Sequence, residues 1–71
     1  MYSKFLKMLA TGKKVVVKNT VPAEVCFKLG GRRISLGTNQ PMNVTDLAPP
    51  RVLQQATELH DLIKRGFVVV L

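Results

Sequence analysis

The sequence predicts an α+β fold: a small, mainly antiparallel β-sheet or open barrel with one C-terminal helix packed on it and a short N-terminal helix. Three observations predict it. Residues 25–29 and 32–36 alternate apolar and polar side chains on either side of Gly30-Gly31. Residues 51–65 repeat apolar side chains at helical spacing and stop at Gly66. Residues 67–71, Phe-Val-Val-Val-Leu, are apolar without a break.

Taken in order, residues 2–10 place Tyr2, Phe5, Leu6 and Leu9 at spacings of three and four, with Lys4 and Lys7 on other faces. This is a short amphipathic helix, which Gly12 ends. A helix this short is unstable alone, so it needs the domain or a partner to pack on. Residues 1–12 are therefore expected to form an amphipathic arm, and residues 13–71 the single β-rich domain. Val15-Val16-Val17 is β-prone, and Asn19-Thr20-Val21-Pro22 reads as a turn or strand end. In the next strand Val25, Phe27 and Leu29 share one face, while Glu24, Cys26 and Lys28 share the other. Gly30-Gly31 supplies the two left-handed residues of a tight hairpin, which puts Ile34 and Leu36 on the face of Phe27 and Val25.

Gly37–Pro41 is a loop, and Met42-Asn43-Val44 makes one more short strand. Pro49-Pro50 bars helix or strand immediately before it, and Pro50 suits a first helical turn. The helix over 51–65 carries its stripe on Val52, Leu53, Ala56, Leu59, Leu62 and Ile63, with Lys64 and Arg65 in the last turn. The final strand, 67–71, is expected to pair with the first, setting Val68-Val69-Val70 beside Val15-Val16-Val17. Left at an edge, such a strand invites pairing with another chain.

Seventy-one residues allow one domain with a marginal core. One cysteine, Cys26, excludes an internal disulfide, and Cys26 with His60 falls short of the four ligands of a structural zinc site. No metal and no cofactor is expected. Extra stability, where needed, would come from a neighbouring chain. The apolar stretch after Tyr2 is short and broken by Lys7, a poor export signal, and no run approaches the length of a membrane span. The chain is expected to be soluble, with no membrane and no small-molecule substrate.

The acids are Glu24, Asp46, Glu58 and Asp61, and their placement fits solvated faces and a turn rather than a catalytic pair. His60 lacks a second ligand at helical spacing, and Cys26 lacks a base beside it. Gly12-Lys13 has neither the upstream glycine nor the following Ser or Thr of a phosphate loop. These absences point away from an enzyme. The net charge of +7 points instead to an anionic neighbour. Lys13, Lys14 and Lys18 cluster on the first strand, and Lys28, Arg32 and Arg33 around the hairpin tip. Exposed aromatics for base stacking are lacking, so these clusters suit backbone contact with nucleic acid or an acidic protein surface.

The segments Val16-Val17-Lys18-Asn19, Val25–Gly31, Ile34-Ser35-Leu36-Gly37 and Leu62–Val69 form a compact β-module followed by a helix and a last strand. This layout, covering about four-fifths of the chain, resembles small structural proteins of tailed bacteriophages. The resemblance implies a mechanical job in the virion, reached through the host cytoplasm: attachment to a capsid, neck or tail lattice in multiple copies. It carries over no catalytic residue. The residues expected to meet other virion proteins are Tyr2, Phe5, Leu6 and Leu9 of the arm and Phe67, Val69 and Leu71 of the last strand. The alternative expectation is a small basic nucleic-acid-binding module, and a third is a regulator of a host enzyme.

Overall fold

A computed structural model describes residues 2–71; Met1, the first residue of the expected arm, lies outside the described residues. The fold is α+β, as the sequence predicts. Its elements are α1 (Tyr2–Ala10), β1 (Val16–Asn19), β2 (Val25–Leu29), β3 (Arg32–Leu36), β4 (Pro41–Asn43), a 3-10 turn (Val44–Asp46), α2 (Pro50–Gln54), α3 (Thr57–Lys64) and β5 (Val68–Val70). The strands divide into two antiparallel sheets, β4-β1-β5 and β2-β3.

The hairpin follows from its sequence. Gly30 and Gly31 both take positive φ, +58° and +85°, and set the register Phe27↔Ile34 and Val25↔Leu36. Phe27, Leu29 and Leu36 are buried on one face, while Cys26, Lys28, Arg33 and Ser35 are exposed on the other. A Cβ added at Gly31 would meet no atom within 4 Å, so only the backbone opposes a side chain there. Gly31→Ala is expected to cost about 1–2 kcal/mol through the left-handed conformation alone, read as a lower urea midpoint.

The last strand pairs antiparallel with the first, in the register Val17↔Val70, Lys18↔Val69 and Asn19↔Val68. β5 does not bury both faces, however. Val68 and Val70 enter the core, Val69 is half-buried and Leu71 is 56% exposed.

What joins the two sheets is Asn19, among the described residues the one fully buried polar side chain in the core. Its Nδ2 donates to the carbonyls of Ala23 (2.7 Å) and Leu36 (3.1 Å), and its Oδ1 accepts from the Val21 amide at 2.9 Å. Its main-chain carbonyl accepts from the Asn39 amide (2.9 Å). Every hydrogen-bonding position of the side-chain amide but one lone pair is thereby used, which is why an amide can sit here without water.

Two expectations are corrected. The helix over 51–65 is broken. Ala56 leaves the helical region at φ −79°, ψ 79°, separating α2 from α3. In an unbroken helix the Thr57 amide would reach the Leu53 carbonyl; here it donates to Gln55 O (2.9 Å). The Leu53 carbonyl instead accepts from the Ala56 amide (3.3 Å) and from His60 Nε2 (2.7 Å). The bend lets Leu53, Leu59 and Ile63 all point into one core.

Secondly, α1 is no projecting arm over its described part. Phe5 is 0% and Leu9 3% exposed, and the helix packs on α2 and α3. The half-buried Tyr2 and His60 are held together at 3.0 Å, hydroxyl to Nδ1. Because a carbonyl only accepts, His60 Nε2 carries the proton donated to Leu53, and in the neutral ring Nδ1 takes the Tyr2 hydroxyl proton. The Phe5 ring meets the His60 ring edge-on at 5.3 Å, and Lys64 Nζ lies 4.6 Å from the Tyr2 ring centre. One histidine thus ties α1, the end of α2 and α3 into a single unit.

Candidate functional site

Strand alternation sorts the side chains of β5. Since Val68 and Val70 point into the core, Phe67, Val69 and Leu71 fall in a row on the outer face. Phe67 is 39% and Leu71 56% exposed. Val16 and Lys18, the cross-strand neighbours on β1, are half-buried beside them. The stem of Lys18 lies across from Val69, so the face is apolar with one ammonium at its middle.

Among the described residues the backbone of the same strand has no strand partner on its other side, yet it is covered there, since Val68 is 0% and Val70 6% exposed. The Thr20 amide donates to the Phe67 carbonyl (2.9 Å), and the Leu71 amide to the Val16 carbonyl (2.8 Å). Antiparallel bonding alternates, so the amide and carbonyl of Val68 and Val70 point away from β1. The row of Phe67, Val69 and Leu71 expected from the sequence is thus brought together on the outer face of an edge strand. Of the four arm residues, Phe5 and Leu9 are withdrawn into this chain's own core and Tyr2 is taken up by His60; Leu6 remains on the surface at 38%.

The six basic residues singled out in the sequence do not form one surface. Lys28 and Arg33 are directly opposed across β2 and β3, on the exposed face of the hairpin, while Arg32 stands opposite Leu29 at its tip. Like charges opposed in this way repel. Lys18 lies on the other sheet, and Lys13 and Lys14 are exposed between α1 and β1. The sequence reading missed the company Lys13 keeps: a cleft of about 630 Å³ is lined by Ser3, Lys4, Lys7, Met8, Thr11 and Lys13. The positions of Lys4 and Lys7 on one helical face were the signal for it.

The nucleophilic and titratable groups are scattered. Cys26 is exposed on β2, with Sγ 3.5 Å from Ser35 Oγ and 3.9 Å from a Glu24 carboxylate oxygen. Both hydrogen-bonding nitrogens of His60 are taken by structural partners. A second cleft, about 320 Å³, lies where the hairpin turn meets the α2–α3 break, between Lys28, Gly30, Val52 and Glu58. Among the described residues no three of His, Cys, Asp and Glu gather where a metal ion could be held. The one ion pair among them, Arg65 to Asp61 at 3.0 Å, is exposed and contributes little to stability. Among the described residues no helix is long and apolar enough to cross a membrane.

Comparison with protein-family models, with curated proteins and with solved structures gives no match.

Proposed function

We propose that this protein is a non-enzymatic structural component that docks on a protein lattice, that of a tailed-bacteriophage virion, through β5. The observation that carries this reading is the apolar row of Phe67, Val69 and Leu71 on the outer face of an edge strand, with Phe67 and Leu71 exposed. With the backbone of Val68 and Val70 covered, the contact is one of side chains: Phe67 and Leu71 are the exposed apolar anchors and Val69 lies between them. An exposed apolar row rimmed by polar side chains is the kind of surface a neighbouring protein covers. The resemblance of the sequence layout to small phage structural proteins implies the class of neighbour: capsid, neck or tail proteins present in many copies. The net charge of +7 disfavours self-pairing and favours an acidic lattice surface.

Co-sedimentation with phage particles that lack this protein tests the proposal. The purified chain is expected to pellet with them. Val69→Glu, opposite Lys18, and Leu71→Glu, both on the outer face, are expected to leave it in the supernatant with thermal unfolding nearly unchanged. A wild-type chain that remains monomeric and unbound overturns the proposal, as does undiminished binding by both variants.

A further inference from the structure

The cleft beside α1 is distinct from the β5 edge, and its composition calls for a different ligand. We propose that it binds the phosphodiester backbone of a nucleic-acid strand through Lys4, Lys7 and Lys13.

The arrangement begins with helical periodicity. With Phe5 and Leu9 turned into the core, Lys4, Lys7, Met8 and Thr11 fall at spacings of three and four on a shared outer strip. Lys13 joins them because of how the helix ends. Gly12 takes φ +73°, its amide donates to Leu9 O (3.3 Å), and the Lys13 amide donates to Met8 O (3.1 Å). This pair of bonds is a Schellman closure, which turns the chain back over the last helical turn. The third ammonium is thereby returned to the side of the first two, with Met8 between them.

Charge decides the class of ligand. No carboxylate lines the cleft, and among the described residues none of the three lysines takes part in an ion pair. Lysines three apart on a helix repel, and a bound anion removes that cost. All three cations are lysines, compact point charges that bind phosphate oxygens without a fixed geometry, as contact with a sequence-blind backbone requires. Met8, half-buried, is the one apolar side chain lining the cleft. The Thr11 hydroxyl donates back to the Lys7 carbonyl (3.0 Å), which leaves the ammonium groups and Ser3 as the donors facing outward. No aromatic ring lines the cleft for stacking, so binding is blind to sequence.

The test is fluorescence anisotropy of the whole protein with labelled oligothymidylate and with a labelled duplex, over a salt series. Each phosphate neutralised contributes about −0.7 to the log–log salt slope on a single strand and about −0.9 on a duplex. The triple variant Lys4→Gln, Lys7→Gln, Lys13→Gln is expected to lose about 2 units of slope on a single strand and at least about tenfold in affinity at low salt. The larger loss per contact, on one probe or the other, tells which form is held. The hairpin variant Lys28→Gln, Arg32→Gln, Arg33→Gln is expected to keep the α1 contribution to the slope. Absence of binding to either probe at low salt overturns the proposal. So does a slope that the α1 variant leaves unchanged, or displacement of the oligonucleotide by polyglutamate at equal charge concentration, which assigns the cleft to an acidic protein. None of these outcomes bears on β5, so the two proposals fail separately.

Discussion

Asn19→Leu is expected to lower the urea midpoint of unfolding sharply while leaving the chain folded in water. The leucine has nearly the same size, so the loss is one of hydrogen bonding. It leaves the Leu36 carbonyl without its buried donor, and deprives the Ala23 carbonyl and the Val21 amide of their partners. An orphaned buried polar group costs about 1–3 kcal/mol, a cost that falls on the Leu36 carbonyl; Ala23 is exposed and Val21 half-buried, so their lost bonds add about 1 kcal/mol or less each. Domains of this length have about 4–10 kcal/mol of stability in total, so one side chain represents a large share of it. Urea unfolding followed by circular dichroism reads the loss directly. Thr20→Ala, next along the chain, is the control: its hydroxyl bonds to the Gly66 and Phe67 carbonyls at 3.1 Å but is exposed. It is expected to cost less than about 1 kcal/mol. Equal effects at the two positions would refute the role given to Asn19.

Asn19→Asp probes the same position by charge. The amide that donates to two carbonyls becomes an acceptor facing two acceptors, in a site with no exposure. The folded state then favours the protonated carboxyl, and the new acid titrates above its unfolded value of about 3.9. Below that value both states are protonated and the penalty is smallest. As pH rises past it the unfolded state releases the proton first, and stability falls until the folded pKa is passed. The variant's unfolding midpoint is therefore expected to drop between about pH 4 and about pH 7. A flat profile would mean that the carboxylate finds water.

The second large effect is expected at Phe5→Ala, at about 3–5 kcal/mol. Phe5 is fully buried, and its ring packs against His60 and, at 6.5 Å, the ring of Tyr2. Removing it opens a cavity under α1 and frees the face of the histidine that ties α1 to the α2–α3 bend. The size of the effect separates a packed α1 from a projecting arm, in which Phe5→Ala would leave thermal unfolding unchanged. His60→Ala adds a second reading. It removes the bonds to the Tyr2 hydroxyl and the Leu53 carbonyl, and its effect is expected to be non-additive with Phe5→Ala by about 0.5 kcal/mol or more. Strict additivity would show that the two rings do not act as one contact.

Much of the fold is written in local pattern. Alternation fixed which faces of β2 and β3 are buried, because a period of two leaves a strand only one way to hide its apolar side. Gly30-Gly31 fixed the turn between them, because its backbone angles exclude most side chains. The stripe from Val52 to Ile63 showed which side chains face inward, whether the helix is straight or bent. The row of Phe67, Val69 and Leu71 was legible for the same reason: once β5 is a strand, odd and even residues must part.

The tertiary structure decided where those elements end and what they meet. Nothing near Asn19 in sequence marks it as the joint between two sheets, since Leu36 lies seventeen residues away. Nothing near Ala56 marks a helix break. Leu53 finds its side-chain donor in His60, and His60 finds its hydroxyl in Tyr2, fifty-eight residues earlier. Lys4, Lys7 and Lys13 became one cleft only when Gly12 folded the chain back. Short-range sterics and burial set the period of each segment, and these act through neighbouring residues. The partners of a buried amide or a ring nitrogen are chosen by packing between distant segments, which no local period records.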